Sequence, residues 1–250
     1  SVPLLKSNLQ KCVRRGYAYE GVKTALTLMS LNMSEFLRRL PIIMVEDTVL
    51  HKSFANIVWY MMAVSKGYKL SEIQIKYLLG IVYMMCERTH MDVCWFDENV
   101  LHLKNMQIPK NMYTLLWSME FRTMYGGMKH DMNMIRYFIR LWLKRGYESI
   151  LSEPRIVPVH VPKATFSMDL VLNSAIDFHC FPWIIKKLHN IYPQYTEEQL
   201  TKSIWYFRSG INTKKCYEGT KKVPPDECES VYTHIRKDLR SMCVWIRTHI

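Results

Sequence analysis

Ser34-Glu-Phe-Leu-Arg-Arg-Leu-Pro-Ile-Ile-Met-Val-Glu-Asp-Thr-Val-Leu-His51, continued by Lys52-Ser-Phe-Ala-Asn-Ile-Val-Trp-Tyr-Met-Met-Ala-Val-Ser-Lys-Gly67, is the stretch that decides how this chain is read. Phe36, Leu37, Leu40, Ile43, Met44, Val45 and Leu50 fall at three- and four-residue steps. That spacing predicts a helix buried on a wide face and bent or restarted at Pro41. The few polar residues in it stand out. Glu46, Asp47 and His51 lie within about one and a half helical turns, with Arg38 and Arg39 roughly two turns upstream.

Working outward, the same periodicity recurs along almost the whole chain. Upstream, residues 4 to 16 read as a basic helix with Leu4, Leu5, Leu9, Cys12 and Val13 on one face, stopped by Gly16; a second helix runs from about Tyr19 to Leu31, and Ser34 is expected to cap a third. Downstream, Ser53 is placed to cap a helix containing Trp59 to Met62, and Ser71-Glu-Ile-Gln74 has the capping-box spacing for a helix through about Glu87. Residues 89 to 108 lose periodicity and read as a loop or an insertion. Helices are then expected from Pro109 to Tyr125 and from Asp131 to Arg145, the latter ending at Gly146.

Pro154, Pro158 and Pro162 among alternating Val and His mark an extended linker over 151–166. Beyond it the pattern gives helices near Ser167 to Ile176 and Pro182 to Tyr192, then one opened by the capping box Thr196-Glu-Glu-Gln199 and closed by Gly210. A basic loop over 211–224 precedes a last helix from about Pro225 to Arg247. No clear strand, internal repeat or low-complexity tract occurs. The expectation is an all-α protein of about ten helices: a bundle over 1–150, the linker, and a smaller helical unit over 167–250.

The charge is one-sided, at +12 with a pI near 9.3. A surplus of that size attracts polyanions over long range, nucleic acid first, with an anionic membrane or acidic protein as alternatives. Residues 1 to 40 are the most basic segment, with Lys6, Lys11, Arg14, Arg15, Lys23, Arg38 and Arg39 against Glu20 and Glu35. Lys6, Lys11, Arg14 and Arg15, joined by Lys214, Lys215, Lys221 and Lys222, are therefore the expected phosphate contacts. Tyr17, Tyr19, Tyr206 and Phe207 lie beside basic residues, the combination on which single-strand bases stack.

No apolar run reaches membrane-spanning length and no signal pattern opens the chain, which reads as soluble, intracellular and in a DNA-containing compartment such as the nucleus. Seven scattered cysteines without a Cys-x-x-Cys pair read as reduced, mostly buried thiols. An initial Ser1 in place of Met leads to the expectation of an excised fragment or a processed product, with room for partner domains outside it.

Two constellations could carry chemistry. Glu46, Asp47 and His51 could form an acid–base or metal group, because Asp47 and His51 at a four-residue step would share a helical face. The competing reading has the carboxylates pairing with Arg38, Arg39 or a helix N-terminus to fix packing. Asp177-Phe-His179-Cys180 could supply a nucleophile and base, with His160 and His189 as further ligands, although adjacent residues rarely point the same way. Gly16-Tyr-Ala-Tyr-Glu-Gly21-Val-Lys-Thr24 approximates a phosphate-cradling loop, but Val22 displaces the lysine by one position and no apolar strand precedes it. No cofactor and no metal is expected.

Leu9-Gln-Lys-Cys-Val-Arg-Arg15, Gly21-Val-Lys-Thr-Ala-Leu26 and Phe36-Leu-Arg-Arg-Leu40 leading to Glu46-Asp47, with the helices through Met85, occur in the order of a known family. In this respect the first 90 residues resemble the C-terminal helical region of clamp-loader-related AAA+ ATPases of the Werner-helicase-interacting, replication-fork-maintenance type. Pro41 interrupts the family's helix, the ATPase module is absent from this chain, and residues after about 90 fall outside the likeness. The resemblance implies a helical oligomerisation or DNA-associated module of a replication or repair enzyme, without catalysis of its own. The alternatives are a nucleic-acid-processing enzyme using one of the carboxylate–histidine groups, and a protein-interaction module with an acidic partner.

Overall fold

The computed structural model describes residues 1–94, 107–146, 155–161, 166–220 and 223–249. Ten α-helices lie among them: α1 (Val2–Arg15), α2 (Ala18–Asp47), α3 (Phe54–Ser65), α4 (Glu72–Glu87), α5 (Tyr113–Met124), α6 (Lys129–Arg145), α7 (Asn173–His179), α8 (Phe181–Ile191), α9 (Glu197–Arg208) and α10 (Asp226–His249). The protein is an all-α multi-helix bundle. Several starts and stops follow directly from local chemistry. Gly16 ends α1 in the left-handed conformation, φ 74°, that a side chain would resist. Both capping boxes form, Ser71 with Gln74 at α4 and Thr196 with Gln199 at α9.

The central helix departs from expectation in one informative way. Helical dihedrals run on through Pro41, and the break falls at Asn32, with φ −160° and ψ 90°. The Asn32 side-chain oxygen accepts from the Glu35 backbone N–H at 3.0 Å. Asn32 therefore caps the second half of α2, the role expected of Ser34. Ser53 precedes α3, but its hydroxyl meets His51 Nδ1 at 2.7 Å instead of a backbone donor. The last helices also shift: a 3-10 turn at Met168–Leu170 precedes α7, where a single helix was expected.

Two apolar clusters organise the packing. The larger takes its side chains from α1 through α6, with Phe36, Phe54, Phe138 and Trp142 among the largest fully buried. Each such ring contributes roughly 1.5–3 kcal/mol of burial. The smaller gathers Ile176, Ile184, Leu188, Leu200, Ile204, Ile235 and Leu239 of α7 to α10, and also Leu4 of α1. Helix α1 thus borders both. Its buried Asn8 donates to Leu170 O at 3.1 Å and accepts from Leu172 N at 2.8 Å, fastening the chain that leads into α7.

Residues 155–161 form neither helix nor strand and lie against α4, with Ile156 buried in the larger core. Val159 N donates to Lys76 O at 3.3 Å, and Gly80 gives the room: a Cβ there would stand 2.4 Å from Val157 O. The remainder of the 151–166 segment lies largely outside the described residues. A two-residue parallel pairing, His90 with Lys215 and Met91 with Cys216, ties the chain after α4 to the chain after α9; sequence patterning gave no sign of it. Cys12, Cys86, Cys228 and Cys243 are buried thiols.

Candidate nucleic-acid interface

The carboxylates at the end of α2 are held by α1. Arg14 Nε donates to Asp47 Oδ1 at 2.5 Å and Arg14 Nη2 to Glu46 Oε1 at 2.9 Å, while Gln10 Nε2 donates to Glu46 Oε2 and Asp47 Oδ2, each at 2.8 Å. All four carboxylate oxygens accept a hydrogen bond. Arg39 extends the network, donating to Gln10 Oε1 at 2.7 Å and to Asp131 Oδ2 of α6 at 3.3 Å. Burial works against the Arg14 charge, yet the two carboxylates hold its pKa above the ordinary arginine value. Burial also pushes the Asp47 carboxyl up, and Arg14 opposes that shift.

His51 does not join this group. Helix α2 ends at Asp47 and Thr48 is extended, so the four-residue helical step to His51 is broken. The buried His51 ring accepts from Ser53 N at 3.0 Å instead.

The second constellation is also dispersed. Asp177 is buried, taking Arg208 Nε at 2.7 Å on one oxygen and the Cys243 thiol at 2.6 Å on the other. Burial, with the Asp177 charge beside it, pushes that thiol up to about 12. His179 is exposed and lines an open groove with Cys180. His189 Nδ1 lies 2.8 Å from Tyr195 O, and His160 is exposed in the segment 155–161. Among the described residues no three His, Cys, Asp or Glu side chains are grouped so as to hold a metal ion.

The cations singled out from the sequence are mostly engaged within the protein. Lys6 pairs with Glu35 at 2.6 Å. Lys11 is only 5% exposed, its ammonium 4.4 Å from the centre of the Phe178 ring, and burial brings its pKa down to about 7. Arg15 donates to Arg208 O at 2.8 Å, at the C-terminal end of α9 where carbonyls lack helical partners. Lys214 is buried with Nζ 2.7 Å from Met85 O, doing the same for α4, and burial lowers its pKa to about 8. Lys215 is exposed, and Lys221 and Lys222 lie outside the described residues. Lys11, Arg14 and Lys214 thus present no accessible charge to a polyanion. Of the aromatics, Tyr17 and Tyr19 are exposed, Tyr19 lies under Lys23 at 4.6 Å, Phe207 stacks on Tyr232, and Tyr206 meets Trp205 edge-on.

Further exposed cations lie on α8 and α10. Helix α10 is segregated: Asp226, Glu227 and Glu229 open it, whereas its remainder carries Arg236, Lys237, Arg240 and Arg247 with Asp238 as its one acid. Asp238 accepts from the Tyr192 hydroxyl, and Arg247 is turned to Met168 O and Val171 O. Arg236, Lys237 and Arg240, with Lys186 and Lys187 of the adjoining α8, are exposed and have no ion-pair partner among the described residues.

On the same two helices two large rings meet at the surface. Trp183 of α8 and Trp245 of α10 stack at 5.5 Å with planes 11° apart, and His249 stacks on Trp245 at 4.3 Å. Lys187 Nζ lies 5.9 Å from the Trp183 ring. Lys237, Ser241, Trp245 and His249 follow at four-residue steps, one stripe along the helix. Sequence reading missed this surface. Its local signals were the acid-then-base order of α10 and a Trp four residues before Lys187; the pairing of Trp183 with Trp245 spans 62 positions, 245 less 183, and no local pattern carries it.

Comparisons with known protein families, with curated proteins and with solved structures find no match. Among the described residues no helix is long and apolar enough to cross a membrane.

Proposed function

We propose that the chain is a non-catalytic nucleic-acid-binding or scaffold module of a replication- or repair-type protein, DNA-associated, with its contact face on α8 and the basic part of α10. The observation that carries this reading is the exposure of Lys186 and Lys187 on α8 and of Arg236, Lys237 and Arg240 on α10, none with an ion-pair partner among the described residues, while the cations of α1 are engaged. Such a patch neutralises phosphates and releases their counterions on binding. The resemblance of residues 1–90 to the helical region of replication-associated ATPases supports the same class. The full engagement of Glu46, Asp47 and Asp177 by arginine, glutamine and thiol donors favours a structural role for them over an acid–base one.

The test is fluorescence anisotropy of labelled single-stranded DNA, duplex DNA and RNA titrated with the protein at several salt concentrations. The expected result is binding that weakens steeply with salt. The Lys187→Ala/Lys237→Ala variant should then reduce the slope of log affinity against log salt by about two. Absence of binding at low salt overturns the proposal.

A further inference from the structure

We infer that the ring column Trp183–Trp245–His249 is a stacking subsite for an unpaired nucleobase, so that the α8–α10 face selects single-stranded over duplex nucleic acid. This rests on the nucleic-acid reading above but stands on a different observation, the exposed rings in place of the charges.

Trp183 is 38% exposed and Trp245 52% exposed, although burial of an indole is strongly favourable. The two are stacked nearly parallel, and His249 adds a third ring within 17° of the Trp245 plane. The three rings, together with His179, Cys180, Pro182 and Ile246, line an open groove of about 390 Å³. A flat, aromatic, partly apolar slot of that size takes a planar ring as a further layer of the column.

The surroundings choose among planar ligands. Lys187 lies over the Trp183 ring with Lys186 next to it in α8, and exposed Lys237 stands about two turns before Trp245 on the same stripe of α10, so the ring that enters is expected to belong to a polyanion. In a duplex the base faces are already stacked on each other. Only a single strand can lend a base to the column while its phosphates meet the lysines, and such stacking is tolerant of sequence because every base has a π face.

The test compares three ligands of equal phosphate count: an oligothymidylate, the corresponding duplex, and an oligomer of abasic sites. Each is titrated against the intact chain and against the Trp245→Leu and Trp183→Leu variants, with Trp59→Leu as a control for an exposed indole on another helix. Both rings are at the surface, so the variants are expected to fold, to be checked by circular dichroism. The expected result is that the single strand binds roughly tenfold or more tightly than the duplex or abasic oligomer and quenches tryptophan fluorescence. The Trp245 and Trp183 variants lose that preference while keeping the salt slope, and the control does not.

Equal affinity for all three ligands, with the slope intact, overturns the stacking subsite and leaves the charge-based reading standing. No binding of any ligand at low salt overturns both. An acidic peptide that quenches the same fluorescence and displaces the single strand at equal charge concentration overturns the subsite in favour of a protein partner.

Discussion

Arg14 and Asp47, 33 residues apart in the chain, meet at 2.5 Å with Asp47 wholly excluded from solvent. Removing one member of such a pair leaves the other charged and buried, which costs about 3–5 kcal/mol. The Arg14→Met chain is therefore expected to lose that much stability in urea unfolding. The Arg14→Met/Asp47→Leu chain should recover most of it, because no stranded charge remains. If both variants are equally destabilised, the pair acts through shape alone.

Lys11 makes stability depend on pH in a direction opposite to most lysines. Burial lowers its pKa from 10.5 to about 7, helped by Arg14 and Arg15 and resisted by Asp47 and Glu46. Between those two values the unfolded chain holds a proton that the folded chain has released. Stability from this group accordingly rises with pH across that window, by up to about 1.4 kcal/mol per unit. Lys11→Met should be more stable than the parent near pH 6 and should lack the rise. Parallel unfolding curves for the two chains from pH 6 to 10 would show that Lys11 stays protonated.

Asn32 holds the break in α2 by capping Glu35 N. Its replacement by Ala is expected to cost about 1 kcal/mol, as for other side-chain N-caps. Ser34→Ala, inside the same helix, should change the melting temperature little. Equal effects at the two positions would place the cap elsewhere.

Gly80 is where the segment 155–161 touches α4. Adding one methyl group brings its carbon to 2.4 Å from Val157 O, a backbone atom that cannot swing aside, so the segment must move. Gly80→Ala should destabilise by roughly 1–3 kcal/mol. Hydrogen exchange at Val159 N, which donates to Lys76 O, should quicken in that variant and report the displacement directly.

Elements whose causes are local could be read from the sequence, and elements whose causes are distant could not. Gly16, Ser71 with Gln74, and Thr196 with Gln199 each fix a helix end through residues within one turn. Pro41 misled because a proline in a helix held by packing on all sides removes one hydrogen bond without breaking the element. For Glu46 and Asp47 a packing role was legible, but the chief partner, Arg14, was not, since pairing across 33 positions leaves no periodic trace. The α1 cations were assigned to solvent by the rule that the charged face of an amphipathic helix is outside. That rule fails here because α1 has a core on two sides. The Trp183–Trp245 column was lost for the same reason as the arginine pair.

The placement of Leu4 and Asn8 means that the two cores share a helix that belongs to neither alone. A backbone cut introduced between Val161 and Phe166 would separate α7 to α10 covalently from the helix they close upon. The two fragments are expected to stay together in solution and to refold as a pair when mixed, with α1 acting as the dowel between them. Splitting the chain there turns its own fold into an association equilibrium whose strength reads out the seam.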